Sequence, residues 1–322
     1  RNLNLRDAQF TIAGEGGRQV YVPESLFDPS SSAGANNRRN TDFADIYVNY
    51  NDGLSRAFIG TVELDHRFGT TSNVRASYTF SRSYDNSSYS CCTANAGWTN
   101  PRVGESSPNE LGGVDGQAWG PSDFNRRHTF VFSTSTELPL GVRASAIWRV
   151  NSGAPWTPEQ SGDLNADGVN FNDRVFIFAP EDLPLATDDP VLAQEQRDLY
   201  AGYLEEWECV GNYVGQIIPR NTCTQPTFNR LDLRLNRSFE TIRGQRFDLE
   251  VDLFNVLNGL NSDWGRYVSV AGPRRNLMVP RNYNQATNQI EYSIPTTFGN
   301  ETILGSNLLL QFQAQVGVRY RF

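Results

Sequence analysis

The residues best suited to bind a ligand directly form a short polar loop, Asp163-Leu-Asn-Ala-Asp-Gly168. Oxygen-bearing side chains fill its first, third and fifth positions and glycine fills the sixth, as in calcium loops, where the backbone turns sharply around a hard cation. Position twelve holds Arg174 instead of the usual glutamate, so Asp173 would have to close the site. The alternative is a turn rich in Asp and Asn. The predicted calcium ligands are Asp163, Asn165, Asp167, Asp173 and the carbonyl of Val169.

Four cysteines offer a second kind of chemistry, and in an exported chain we expect them to be bridged. Cys209 and Cys223 are predicted to pair, stapling a segment that includes a predicted helix at Pro190–Trp207. Closing a loop of that size contributes about 3 kcal/mol in the chain-entropy model. Cys91 and Cys92 are adjacent, so they would form a vicinal bridge or reach another part of the protein.

The sequence contains no recognisable catalytic motif. It lacks a Gly-x-Ser-x-Gly elbow, a His-Glu-x-x-His pair and a phosphate-binding loop, so we predict a protein that is not an enzyme. Its two histidines, His66 and His128, are not at zinc-ligand spacing. Aromatic side chains in polar segments would stack on a sugar or a flat siderophore, or else form the cores of loops. These residues are Trp98, Trp119, Trp156, Tyr203 and Trp207.

The elements that must position these groups are strands with one apolar and one polar face. In the last twelve residues, Gln311–Phe322, apolar side chains occupy one parity, and Gln, Gly and Arg occupy the other. The aromatic residues Tyr320 and Phe322 lie where a membrane-spanning strand would meet the headgroups. This ending resembles the terminal signature that the assembly machinery of bacterial outer-membrane barrels reads.

Further strands follow the same two-sided pattern. Two of them have one apolar face, formed by Leu231, Leu233 and Leu235 in the first and by alternate residues of Phe247–Leu253 in the second, and one charged face. If these two strands pair, arginines of the first would face carboxylates of the second. Such charges require a hydrated lumen or a plug. The other predicted strands are Ser55–Phe68, Ser72–Tyr84, Arg127–Leu138 and Val142–Asn151, with three more at Leu3–Phe10, Ile46–Tyr50 and Trp264–Val270.

The composition agrees with a transmembrane barrel. Hydrophobic residues make up 38% of the chain, mean hydropathy is -0.50, and no run of 18 apolar residues exists, which excludes a transmembrane helix. Alternating strands lower the apolar content in this way, although a soluble β-sandwich would do the same; the aromatic content of 12% favours the membrane. The net charge of -8 argues against binding to nucleic acid.

Connections between the strands alternate between short and long. Short turns lie at Gly69–Thr71, Pro139–Gly141 and Thr241–Gly244, whereas the long connections span residues 86–125, 152–226 and 258–306. Outer-membrane barrels have short periplasmic turns and long extracellular loops, which explains this alternation. The whole chain, residues 1–322, is therefore predicted to be all-β, an antiparallel transmembrane barrel with three long extracellular loops.

Five stretches of the sequence resemble a known family. They are Asp123-Phe-Asn-Arg-Arg-His-Thr-Phe130, Leu138-Pro-Leu-Gly141, Asn229-Arg-Leu-Asp-Leu-Arg-Leu235, Phe247-Asp-Leu-Glu-Val-Asp-Leu-Phe-Asn-Val-Leu-Asn258 and the Phe322 terminus. In this order they resemble TonB-dependent outer-membrane receptors, most closely the Oar-like branch. The resemblance implies the C-terminal part of a 22-stranded barrel whose N-terminal plug, the part contacted by TonB, is absent from this chain.

The resemblance implies a receptor that binds a scarce ligand on its extracellular loops for TonB-energised uptake. The chain begins at Arg1, so we expect a processed chain or a fragment, with the rest of the receptor or other chains completing the barrel. The expected partners are outer-membrane lipid, the barrel-assembly machinery and, through the plug, TonB. The alternative is a structural or adhesive surface protein whose barrel anchors partner-binding loops. A passive porin is disfavoured because the predicted extracellular loops are so long.

Overall fold

The computed structural model describes residues 3–31, 34–46, 54–85, 88, 119–168, 173–240, 244–303 and 311–322. Cys91, Cys92, Trp98, Val169 and most of the predicted strand at residues 46–50 lie outside these ranges. Among the described residues, no helix is both long and apolar enough to cross a membrane.

The described strands are numbered β1 to β17 in chain order. They are Phe10–Ile12, Arg18–Val20, Ser55–Phe68, Ser72–Asp85, Gly120–Pro121, His128–Leu138, Val142–Asn151, Pro155–Trp156, Glu159–Gln160, Cys223–Thr224, Phe228–Glu240, Arg246–Phe254, Val268–Ser269, Asn276–Asn284, Gln289–Ser293, Thr302–Ile303 and Gln313–Arg321. The α-helices are α1, Pro190–Glu206, α2, Glu208–Gly211, and α3, Val256–Leu260. Short 3-10 turns lie at Ala13–Glu15, Glu24–Leu26, Pro139–Gly141, Pro180–Asp182 and Gly272–Arg275.

One antiparallel sheet contains the seven long strands in the order β17-β12-β11-β7-β6-β4-β3, with β5 beside the end of β4. Each strand of this row is therefore next to its neighbour along the chain, and the seven strands predicted from alternation are confirmed. Short turns join β3 to β4 and β6 to β7, whereas long connections join β4 to β6, β7 to β11 and β12 to β17. Gly69 in the β3–β4 turn and Gly244 before β12 adopt left-handed backbone conformations, with φ of 63° and 77°. Strands of 9 to 14 residues are long enough to span a bilayer when tilted.

The two faces of this sheet differ as the alternation predicts. Apolar side chains on the outward face are uncovered by protein: Val62 of β3 is 73% exposed, and Val316 of β17 is 67% exposed. A contiguous exposed apolar face of this size needs an apolar surrounding.

The inward face carries paired charges. Arg234 of β11 lies opposite Asp252 of β12 and donates two hydrogen bonds to its carboxylate, at 2.6 and 3.1 Å. Arg246 and Arg321 each lie 3.2 Å from Asp248 on the same face. The predicted arrangement of arginines across from the acidic row is therefore confirmed.

The hydrophobic core of the described residues lies beyond the strand ends. It is built from the segment before β3, the β7–β11 connection and the β12–β17 connection, which together are named the loop domain (residues 3–31, 34–46, 152–168, 173–227 and 255–303). Helix α1 packs Tyr200 and Tyr203 into this core, and Asp189 caps its first turn by accepting from Val191 N at 2.9 Å. Each fully buried large side chain contributes about 1.5–3 kcal/mol.

Two predicted strands are wrong in the structure. Leu3–Phe10 contains a single bridge, Leu5 to Arg38, before the strand that starts at Phe10. Within Trp264–Val270 only Val268–Ser269 is extended and paired. Both segments belong to the loop domain, where irregular packing against a core replaces the regular ladder of the sheet.

Candidate functional site

The loop domain is fixed to the strand ends by a buried ion pair. The guanidinium group of Arg220 contacts the carboxylate of Asp85 at the end of β4, and both side chains are almost completely buried. Nη2 of Arg220 also donates to the carbonyls of Asp85 and Pro121, at 2.9 and 3.1 Å. Three interactions from one guanidinium orient the loop domain on the sheet.

The Asp163 loop forms the sharp turn that its sequence predicts. The backbone N–H groups of Asp167 and Gly168 donate to the two carboxylate oxygens of Asp163, at 3.0 and 2.8 Å. Asn165 Oδ1 accepts a further bond from Asp167 N at 2.8 Å. Gly168 has φ of 91°, a left-handed value that explains the glycine at this position. Asp163, Asn165 and Asp167 are all buried.

Asp173 folds back onto the start of this loop. Its Oδ2 accepts from Leu164 N at 2.7 Å, and its Oδ1 lies 3.5 Å from Nη1 of Arg18. Asp163, Asn165 and Asp167 therefore lie in one hydrogen-bonded turn, and Asp173 bonds to the backbone of that turn. Val169, the remaining predicted ligand, lies outside the described residues.

Arg18 connects the three segments of the loop domain through a buried polar network. Its Nε donates to Glu15 at 2.7 Å and its Nη2 donates to the carbonyl of Arg174 at 2.7 Å. Glu15 also accepts from the hydroxyl of Tyr292 at 2.5 Å. Arg18, Glu15 and Tyr292 are each 1% exposed, so these groups are shielded from water.

Burial and charge perturb the titration of the loop domain. Loss of hydration raises the pKa of Asp163 to about 6, even though backbone N–H groups stabilise its ionised form. Burial, reinforced by the charges of Asp167 and Asp173, raises the pKa of Tyr21 to about 12. The environment of the Asp163 side chain therefore disfavours its ionised form.

Oxygen donors near the loop extend beyond the predicted set. Asn37 is 1% exposed, and its amide atoms have no hydrogen-bond partner among the described residues. Its Nδ2 lies 3.0 Å from where a Cβ on Gly168 would sit, and a rotated amide would present oxygen there. No three His, Cys, Asp or Glu side chains of the described residues are grouped to hold a metal ion. Amide and carbonyl oxygens would have to complete a cation site.

A disulfide joins Cys209 and Cys223, the pair that the sequence predicts. Cys223 is fully buried and lies in β10, which pairs with β8 at Trp156. The bridge thus ties the first turn of α2 to β10, shortly before the chain returns to the sheet at β11.

The loop aromatics divide into core and surface residues. Trp156 is 1% exposed and Tyr203 is 7% exposed, so both lie in the core of the loop domain, as the loop-core alternative predicts. Trp207 is half-buried and packs edge-on against Trp156 at 5.4 Å. Trp119 is partly exposed and stacks on Tyr84 at 6.2 Å. Trp119 and Trp207 stay candidates for ligand contact.

The chain end lies on the outward face of the last strand. Tyr320 is 51% exposed, Phe322 is fully exposed, and their rings lie 6.4 Å apart. Their role as a signal for the assembly machinery stays a prediction.

The sequence analysis did not identify several residues that organise the site. Glu15, Arg18 and Asn37 come from a segment with no motif, and Arg220 pairs with Asp85 across 135 positions of sequence. The only local signal was the Glu15 to Arg18 spacing of three residues, which is common on any helical turn. Long-range pairing of this kind leaves no periodic pattern.

Comparisons with known proteins give one match. A family model described as "Outer membrane beta barrel domain" matches residues 8–288, which is most of the chain. Neither the comparison with curated proteins nor that with solved structures found a match.

Proposed function

Because this chain belongs to the outer membrane beta barrel domain family, we propose that it is the C-terminal barrel portion of a receptor for TonB-energised uptake. The protein resides in the bacterial outer membrane. In the proposed function, the loop domain faces the outside, captures a scarce ligand and delivers it to the barrel lumen.

The folded loop domain is the observation that carries this proposal. Loops that only close a barrel need a few residues, whereas these share a hydrophobic core, a disulfide and the Arg18 network. The Arg220–Asp85 pair holds this body on the strand ends. A rigid body at that position suits ligand capture, because a preorganised surface avoids the entropic cost of ordering loops on binding.

The inward charges support passage through a hydrated lumen. Arg246 and Asp248 lie among polar side chains that line a depression of about 350 Å³ on the inner face. Charges on this face are compatible with water or with a polar plug, and incompatible with lipid. The TonB requirement rests on the resemblance of the quoted motifs to that receptor family, and the plug would be supplied from outside this chain.

The first test is the mass of the natural protein in the outer-membrane fraction, with peptide mapping upstream of Arg1. We expect a mass well above 36.1 kDa and an N-terminal plug that carries a TonB-binding segment. In cells, loss of the energy-coupling protein should then abolish accumulation of the ligand while leaving surface binding intact. A natural protein of 36.1 kDa would contradict the receptor proposal and favour the adhesive alternative.

We also propose that the Asp163 loop binds calcium. Four acidic residues, Glu15, Asp163, Asp167 and Asp173, and two arginines, Arg18 and Arg174, are buried in these segments. A dication would offset the excess negative charge, which is costly to bury. The amide of Asn37 beside Gly168 adds a donor from a separate segment, so the bound ion would tie the N-terminal segment to the loop.

Calcium should raise the unfolding temperature of the loop domain. At a calcium concentration of about 100 times the dissociation constant, the stabilisation is about 2.7 kcal/mol. Asp163→Asn together with Asp167→Asn should abolish the shift, and Asn37→Ser should weaken calcium binding measured by titration calorimetry. The matched control is Asp188→Asn, on an exposed residue. An equal shift with magnesium, or none with calcium, would count against the site.

A further inference from the structure

The last strand, β17, is joined to its partner by a long connection instead of a short turn. Residues 241–245 separate β11 from β12, whereas residues 255–312 separate β12 from β17. In the described sheet, β17 pairs with β12 alone. Short turns fix the register of a hairpin, so the register of β17 must be set by the side chains of the two strands or by a contact outside them.

The side chains of β12 and β17 do not select the observed register. In that register Asp248 lies opposite Arg319, but Arg246 lies opposite Arg321, and like charges at opposite positions are unfavourable. If β17 moved by two residues toward the loop domain, Asp248 would face Arg321 and Glu250 would face Arg319. Apolar residues would still face apolar residues, because the alternation has a period of two. The slipped register would therefore pair charges at least as well as the observed one.

A contact outside the two strands begins where β12 ends. Asn255 is fully buried and has a left-handed backbone, with φ of 51°. Its N–H donates to Asp232 on β11 at 2.8 Å, and its side-chain amide donates to the carbonyl of Gly265 at 2.9 Å. These two bonds fix the start of α3 relative to the sheet.

Asn258 in α3 joins this segment to the start of β17. Its Nδ2 donates to the carbonyls of Ser262 and Trp264, at 3.0 and 3.1 Å. Its Oδ1 accepts from the N–H of Phe312 at 3.1 Å, one residue before β17 begins. Because both ends of the amide are engaged, the side chain has one orientation and holds the backbone of Phe312 at one height.

Gly259 allows the ring of Phe312 to pack closely against α3. A Cβ at position 259 would lie 2.7 Å from the ring, closer than Cβ atoms approach other groups. Residue 259 lies in a helix and its φ is not positive, so the close approach, not the backbone conformation, requires glycine there. Asn258 and Gly259 thus both contact the residue that precedes the last strand.

We propose that residues 255–259 form a latch that sets the register of β17 on β12. A slip of two residues would move Phe312 about 7 Å along the strand and break its contacts with Asn258 and Gly259. The latch thereby aligns the other edge of β17, whose backbone groups must be paired where the barrel closes in the membrane. A long connection can then fold in the loop domain while the strands that it joins stay aligned.

The test measures the register by disulfide cross-linking in the full natural protein. Phe254→Cys with Gln313→Cys reports the observed register, in which these residues are opposite. Phe254→Cys with Gln315→Cys reports the slipped register. With the latch intact we expect the first cross-link to dominate. Asn258→Ala and Gly259→Ala should each raise the second cross-link at least about fivefold, the factor that corresponds to the loss of one hydrogen bond.

Two matched controls should leave the ratio of the cross-links unchanged. Asn261→Ala removes an exposed amide that bonds within its own turn, and Gly202→Ala adds a methyl group in α1 where no described atom lies within 4 Å. Resistance to sodium dodecyl sulfate at room temperature shows that each variant is folded, and Asn258→Ser replaces Asn258→Ala if the latter does not fold. Peptide masses after digestion distinguish the engineered cross-links from the Cys209–Cys223 bridge.

An unchanged ratio of the cross-links in both latch variants would overturn the proposal. Loss of the first cross-link without a rise of the second would also overturn it, because the strand end would then fray without slipping. The measurement reports strand register and requires no ligand, so its outcome is independent of the proposed receptor function.

Discussion

Replacement of Arg18 by methionine should destabilise the loop domain by about 3–5 kcal/mol while leaving the sheet folded, because the variant buries two carboxylates without their partner. Arg18 contacts Glu15 at 2.7 Å and Asp173 at 3.5 Å, and all three side chains are at most 2% exposed. The carbonyl of Arg174 would also lose its donor. Methionine replaces the aliphatic stem of arginine without the guanidinium group, so the loss of the ionic and hydrogen-bond partner is the main effect.

Tryptophan fluorescence measures this change, because Trp156 and Trp207 lie inside the loop domain, and far-ultraviolet circular dichroism follows the sheet separately. The control is Arg281→Met, on an exposed arginine whose replacement should change stability by no more than about 0.5 kcal/mol. Combining Arg18→Met with Glu15→Gln should recover part of the loss, because one uncompensated charge is removed. Wild-type stability in Arg18→Met would show that the network does not hold the three segments together.

Truncation of Trp156 to alanine should cost the loop domain about 3–5 kcal/mol, the usual range for a buried aromatic residue. Trp156 is 1% exposed and contacts the rings of Trp207 at 5.4 Å and Phe298 at 6.0 Å. It also lies opposite Cys223 in the β8–β10 pair, next to the disulfide. Its loss would open a cavity between segments that are far apart in sequence.

Chemical denaturation followed by the remaining tryptophans would give the free energy of unfolding of the loop domain. Trp264→Ala, on a side chain that is 53% exposed, should change it by less than about 1 kcal/mol. Trp156→Phe should recover much of the loss, because it refills part of the cavity. If Trp156→Ala weakened ligand binding without changing stability, Trp156 would be a contact residue and not a core residue.

The strands could be predicted from the sequence because their physics is local. The alternation of apolar and polar residues in Gln313–Arg321 and Arg246–Phe254 shows which face of each strand is polar. Short turns with glycine, such as the one at Gly69, indicate which strands are neighbours. The opposition of Arg234 and Asp252 follows from that register. The disulfide of the loop domain could also be predicted, because its two cysteines lie in the same long connection.

The loop domain could not be predicted in the same way. Its segments carry no period, so the strand predicted at Leu3–Phe10 was wrong and the roles of Trp156 and Tyr203 stayed open between core and ligand contact. Burial decided that question, and burial there depends on packing between segments more than 100 residues apart, as in the bond from Tyr292 to Glu15.

By itself, therefore, the sequence determined the two-faced sheet, the short and long connections, and the turn at Asp163 to Gly168. Each depends on residues within a few positions of one another or on neighbouring strands. Only the tertiary structure decided that the long connections share one core, that Arg18 links segments within it, and that Arg220 holds it on the sheet. These features arise from contacts between distant segments, whose free energy depends on burial and charge pairing and leaves no pattern along the chain.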